Sequence, residues 1–169
     1  MGGRLTRLRG SRLLVFNVCA SGVGYAAGDQ LQQRFEGRGQ SDWVRSGRMA
    51  GVGAPIGAMG HYWYQLLDRA LPGVVAGAVV RKVLADMCIF APVCLVTFFT
   101  GMGLLEGKNS REIVLDVKTM FPTAYLAEWA FWPAAQALNF YIIPPQLRVF
   151  YVSSVLLVWT VILSYIKHK

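Results

Sequence analysis

The stretch WAFWPAAQALNFYIIPPQLR, Trp129 to Arg148, is an apolar run interrupted by a proline, a glutamine, an asparagine and a Pro-Pro pair. Hydrocarbon cannot solvate amide side chains, so Gln136 and Asn139 within such a run require protein or water partners. At 100° per residue, Trp129, Trp132, Gln136, Asn139 and Phe140 share one side of a helix, which gives the polar pair a defined face. That face is expected to look into a helix bundle. The simpler reading is packing, through hydrogen bonds that contribute about 0.6 kcal/mol on average in membranes. The other reading is the lining of a solvated conduit.

The rest of the chain has the same character. Its 169 residues suffice for one domain, read as a basic leader over 1–12 and a single multi-pass helical domain over 13–169. A mean hydropathy of +0.41 and a hydrophobic fraction of 54% are too apolar for an ordinary soluble fold of this size. Only 15% of residues are charged, and they gather between the apolar runs. The expected class is an all-α integral membrane protein, a compact bundle of four or five transmembrane helices with Gly/Ala-rich contacts.

The formal net charge is +8, and Arg4, Arg7, Arg9 and Arg12 all precede the first acidic residue, Asp29. Such an acid-free leader serves equally as a mitochondrial address and as a positive-inside flank, and it is read as retained. Cys19, Cys88 and Cys94 lie in apolar runs, are odd in number and form no CxxC, against a disulfide framework or zinc site. No Asn-x-Ser/Thr sequon points to the secretory lumen.

The first run, Leu13 to about Gln32, can cross a bilayer of roughly 30 Å as a helix. Ala20, Gly24 and Gly28 recur every fourth residue along it, a spacing that lets helix backbones approach closely. Asp29 and Gln33 follow one turn apart, and Asp29 is expected to snorkel at the interface. The second run, Met49 to Leu67, repeats the pattern with Ala50, Ala54 and Ala58 on one stripe and Gly53 and Gly57 beside it. It closes with His61, Tyr62, Trp63 and Tyr64, read as an interfacial aromatic belt. His61 has no second ligand at metal spacing.

After a Pro72-Gly73 turn, the third run extends from Val83 to Leu105. Asp86 lies four residues after Lys82, which predicts an ion pair at the helix mouth, and Pro92 predicts a kink. Residues 106–119 read as a solvated loop or short surface helix. Pro133 kinks or starts the next helix, and Pro144-Pro145 ends it. Leu147 to Ile166 is a last apolar run before a basic tail. Five runs fit four spans plus an interfacial piece, or five spans. Basic residues are spread too evenly over the connectors to fix an orientation.

No GxSxG, P-loop, HExxH or CxxC pair is present, and two histidines with nine carboxylates leave few acid–base partners. A non-enzymatic protein without cofactor or metal is expected.

The assembled motifs resemble those of the Mpv-seventeen/peroxisomal membrane protein (twenty-two kDa) family. Trp129-x2-Trp132-Pro133-x2-Gln136-x2-Asn139-Phe140-x3-Pro144-x3-Arg148 is similar to its C-terminal signature. Gly28-Asp29-x3-Gln33, Trp63-Tyr64-x2-Leu67-Asp68-Arg69 and Lys82-x3-Asp86 followed by Pro92 resemble, in the same order, its three upstream motifs. Met87 stands where the family usually has Gln, and Gly57-Ala58 where it has Gly-Pro. HYWYQLLDR and the LSYIK ending look closest to the Mpv-seventeen-like protein 2 branch. The resemblance implies a four-span protein of the mitochondrial inner membrane, with the peroxisomal membrane as the alternative.

Two functions follow as expectations. Family members are proposed to form weakly selective channels for small solutes. The branch is linked instead to assembly of the mitochondrial ribosome, hence to mitochondrial translation. As a channel, Asp29, Gln33, Asp86, Gln136 and Asn139 would line a path between Gly-rich helices. As a membrane-anchored platform, the basic connectors would contact ribosomal subunits by charge, without reading a base sequence. The platform ranks slightly ahead, on the branch resemblance. The small-residue stripes serve contacts within one chain or between copies, so a homo-oligomer stays open.

Overall fold

The computed structural model describes residues 2–37 and 40–167, with side chains over 10–37 and 40–159. These residues form five helices and no strand: α1 (Gly2–Phe35), α2 (Trp43–Ala70), α3 (Ala76–Leu105), α4 (Ser110–Tyr141) and α5 (Arg148–Lys167). The connectors are short, so sequential helices run antiparallel. Packing closes a ring: α1 lies on α2 and α5, α3 on α2 and α4, and α4 on α5.

Local chemistry sets the boundaries. Asp42 caps α2 by accepting from the Arg45 backbone N–H at 2.9 Å. Asn109 and Glu112 form a reciprocal capping box at the start of α4. Residues 110–119, expected as loop or surface helix, are therefore the first turns of the long helix, and Pro122 and Pro133 both lie inside it. The α3 terminus ends on Gly107 at φ 77°, a left-handed position that costs glycine nothing, and Lys108 N–H returns to the Gly103 carbonyl at 2.9 Å. Just before Pro92, where a kink is expected, α3 widens into a π-turn over Asp86–Phe90. Helix α4 stops at Tyr141, and a 3-10 turn over Pro145–Leu147 leads into α5.

Small residues set the spacing of the ring. A β-carbon on Gly57 would lie 2.5 Å from Ser21 Cβ and 2.7 Å from the Asn17 carbonyl oxygen. One on Gly53 would overlap the Tyr25 ring, and one on Gly24 would sit 3.0 Å from the Ser153 carbonyl in α5. Gly28 is buried and Ala20 half-buried on the same helix. The stripes read from the sequence thus serve contacts within the chain. Below them lies an apolar core that includes Met87, Leu95, Phe98, Phe99, Trp132 and Trp159.

The helical class holds, but the expected count of spans is met only in part. Among the described residues one helix, α3, is both long enough and apolar enough to cross a bilayer, with mean hydropathy 2.1. The first, second and fourth of the expected runs carry Asn, Gln, Asp, Glu or His on their inner faces, which lowers their average without placing those groups outside, and the last, Leu147 to Ile166, extends past the residues whose side chains are described. The leader's Arg4, Arg7 and Arg9 side chains and the basic tail lie outside the described residues.

Candidate functional site

Among the described residues three polar clusters hold the charged groups of the bundle interior, and the central one is built on the π-turn. Trp63 Nε1 donates to Asp86 Oδ1 at 2.8 Å, and Gln136 Nε2 donates to Asp86 Oδ2 at 2.7 Å and to the Tyr64 hydroxyl at 2.9 Å. Asn139 Nδ2 donates to Gln136 Oε1 at 2.9 Å. Widening at Asp86–Phe90 also frees the Met87 carbonyl, which accepts from the Tyr125 hydroxyl at 3.0 Å. Asp86 is 3% exposed and Asn139 0%. The cluster borders a cavity of ≈ 70 Å³, room for a few waters, whose wall includes Ser21, Tyr25, Cys94, Glu128 and Trp159. Glu128 is 4% exposed, and its Oε2 has no hydrogen-bond partner among the described residues, as is true of Asn139 Oδ1.

A second cluster ties the end of α1 to the start of α2. Asp29 Oδ2 accepts from Gln33 Nε2 at 2.8 Å and from Ser46 Oγ at 2.7 Å, while Arg45 Nε lies 2.7 Å from Asp29 Oδ1. Arg45 also forks onto Glu36. Asp29 is completely buried, so the snorkelling expected of it is corrected: a turn-deep carboxylate with two hydrogen-bond donors and a guanidinium beside it is solvated by protein rather than water.

The third cluster lies at the opposite end. Lys82 Nζ donates to Asp68 Oδ1 at 2.8 Å and to the Gly73 carbonyl at 3.2 Å, and Arg148 Nη1 meets the same Asp68 oxygen. Both cations stand over the Phe140 ring, 5.8 Å and 5.3 Å from its centroid. The pair predicted between Lys82 and Asp86 is therefore not made: Asp86 is taken by Trp63 on α2 and Gln136 on α4, and Lys82 by Asp68 at the α2 terminus. Asp68 lies just past the apolar run. Burial pushes its carboxyl pKa up, but the Arg148 and Lys82 contacts outweigh this and hold it below the usual aspartate value.

The sequence-predicted residues thus divide. Asp86, Gln136 and Asn139 come together, Asp29 and Gln33 form their own cluster, and Phe140 and Arg148 join the third. Trp132 is buried against Trp159, whereas Trp129 is exposed, Pro133 half-buried and Pro144 exposed, all three outside the hydrogen-bonded clusters. The aromatic belt is also corrected: Tyr62 is exposed, but His61 and Tyr64 are buried. His61 stands between the Asn17 and Gln65 amides, whose nitrogens lie 2.9 and 2.7 Å from its two ring nitrogens, and a neutral ring accepts from only one of them, through its unprotonated nitrogen. Glu128 and Asp68 were missed as site residues. Helical phase carried a signal for Glu128, which falls about 20° from Asn139 at 100° per residue. Met87 is wholly buried in the apolar core, so no additional amide reaches the cavity from that position.

The matches to known proteins cover these same elements. A model of the Mpv17 / PMP22 family matches residues 103–164, which include Glu128, Gln136, Asn139 and Arg148. The Bos taurus Mpv17-like protein is 34% identical, over 98% of this chain and 83% of its own length. The chain belongs to the Mpv17/PMP22 family. The Homo sapiens mitochondrial inner membrane protein Mpv17 is 31% identical, over 90% of this chain and 89% of its own length. PXMP2/4 family protein 2 of Dictyostelium discoideum is 33% identical, over 91% and 84%. The mitochondrial inner membrane, expected from the sequence, is the location that the Mpv17 names carry, and the PXMP2/4 name carries the peroxisomal alternative. No solved structure matches the chain. Among the described residues no three His, Cys, Asp or Glu side chains gather to hold a metal ion.

Proposed function

We propose that this Mpv17/PMP22 protein is a non-enzymatic, multi-pass protein of the mitochondrial inner membrane. Its function is that of a membrane-anchored platform supporting mitochondrial ribosome assembly and translation. Lipid exposure of the helices supports the first half. Only 33% of the apolar window of α3 is buried, and Val80, Ile89 and Val93 on it are exposed. Val15 and Val23 on α1, Leu126 and Leu138 on α4 and Phe150 and Val158 on α5 are exposed as well. In water this surface would far exceed the few hundred Å² of apolar patch that monomers tolerate.

The observation that carries the platform is how the charge is distributed. Buried or half-buried cations are used internally: Arg45 on Asp29, Lys82 and Arg148 on Asp68, and Lys108 on Glu106 and Asp116. Arg12, Arg34, Arg69, Arg81, Arg111 and Lys118 are instead exposed, with no acidic partner among the described residues. A surface of unpaired cations attracts phosphate polyanions in a salt-dependent, sequence-independent way. Sedimentation of gently solubilised mitochondria tests the proposal. Co-migration with a ribosomal subunit at low salt, lost at high salt, is the expected result. Migration only as a small membrane complex, with unchanged subunit profiles after depletion, would overturn it.

The central cavity favours a second reading, a conduit held closed. Glu128 and Asp86 border it, and the unpartnered Glu128 oxygen awaits a water or cation. Reconstituted Asp86→Asn, Glu128→Gln and Asn139→Leu proteins should then conduct differently from the parent. Identical conductance would exclude this lining.

A further inference from the structure

Two buried cations at the end of the bundle share a single counter-charge. Lys82 and Arg148 are 2% and 3% exposed, and both converge on one oxygen of Asp68. The formal charge of the group is therefore +1, held where water screens it poorly. Donor capacity is left over as well. Lys82 spends two of its three N–H bonds, on Asp68 and Gly73, and Arg148 spends Nε on the Ile143 carbonyl at 3.3 Å and Nη1 on Asp68. Arg148 Nη2 has no acceptor among the described residues.

These groups face an open cavity of ≈ 370 Å³ between the 71–75 and 142–147 connectors. Its floor is the Lys82, Arg148, Asp68 and Phe140 group, with the two cations outnumbering the carboxylate, and its rim is apolar and exposed, with Val74 53% and Ile142 63% accessible. A cationic floor with an apolar rim, placed where lipid-facing helices end, matches an amphiphile better than a free ion.

We infer that the Lys82–Arg148 pocket binds the phosphate group of an anionic phospholipid headgroup, with the glycerol and acyl portion lying over Val74 and Ile142. Basic pockets between membrane helices take such headgroups because an anion supplies the missing counter-charge in a poorly screened place. The flat guanidinium is suited to phosphate oxygens through paired N–H donors, and the ammonium adds a point charge beside it. The Phe140 ring beneath holds both cations without neutralising either.

This inference rests on the membrane reading but not on the platform. Full-length protein in detergent micelles is titrated with short-chain phosphatidylglycerol, phosphatidylcholine of equal chain length, or inorganic phosphate, following thermal unfolding and lipid retention in native mass spectra. Phosphatidylglycerol should stabilise saturably and be retained, the choline lipid and phosphate much less. Arg148→Gln should weaken retention about fivefold, the effect of one charge at a lipid headgroup. Asp68→Asn, which removes the internal anion while keeping its shape, should strengthen it, and it carries the test if Arg148→Gln does not fold. Equal stabilisation by both lipids, equal potency of free phosphate, or unaltered retention in Asp68→Asn would each overturn the assignment. A detergent requirement and resistance to alkaline extraction test the membrane reading separately, since neither involves the pocket.

Discussion

Replacing Gly57 by alanine should force α1 away from α2. The added methyl would stand 2.5 Å from Ser21 Cβ and 2.7 Å from the Asn17 carbonyl oxygen, and neither neighbour is the free end of a flexible side chain. Carbon atoms pack best at about 3.5–4.0 Å, so relief requires the helices to part by about 1 Å. Overpacking of this kind costs about 1–3 kcal/mol, against which alanine regains about 1 kcal/mol of helix propensity, leaving a net loss of up to about 2 kcal/mol. Gly47, in the same helix, has nothing within 4 Å of its hypothetical β-carbon, so Gly47→Ala should keep the propensity gain alone. The two variants differ by that overpacking cost, about 1–3 kcal/mol, and should therefore unfold on the order of 2–12 °C apart in the same detergent, with Gly47→Ala the higher. Equal midpoints would refute the close α1–α2 approach at Gly57.

Gln136→Leu should destabilise the bundle by about 1–3 kcal/mol, because it strips Asp86, Tyr64 and Asn139 of a shared partner, and thermal unfolding against the parent reads it. Asp68, held below its usual value of 3.8, stabilises the fold above that pH, and the contribution is lost as the pH falls through its lower folded-state value. Acid unfolding of Asp68→Asn should accordingly depend less on pH than that of the parent below about pH 4. Cys19 and Cys88 are exposed on the bundle. In a bilayer they should resist a membrane-impermeable maleimide and react after detergent solubilisation; rapid labelling in intact membranes would contradict lipid contact of these faces.

Much of the site was legible along the sequence. Periodicity placed Gln136 and Asn139 on one face, and small-residue spacing at Gly24, Gly53 and Gly57 marked the close contacts that the ring uses. The failures share a cause. The Lys82–Asp86 pair was read from an i,i+4 rule that looks along one helix, whereas Lys82 is taken by Asp68 on α2 and Asp86 by Trp63 on α2 and Gln136 on α4. The aromatic belt was read from composition, which does not distinguish Tyr62, pointing out, from Tyr64, pointing in. Glu128 stands one residue before the Trp129–Arg148 run, and it joins the polar face because α4 begins eighteen residues earlier, at Ser110.

By itself the sequence determined the helical class, the apolar runs, the basic excess and the family motifs, because each is a property of composition or of one helix at a time. Only the tertiary structure decided which partners the charged groups take. Arg148 reaches Asp68 across 80 residues, Gln136 reaches Asp86 across 50, and Asn17 reaches His61 across 44. Such pairings depend on how far each helix is rotated about its axis when the ring closes, and a one-dimensional pattern does not carry that angle.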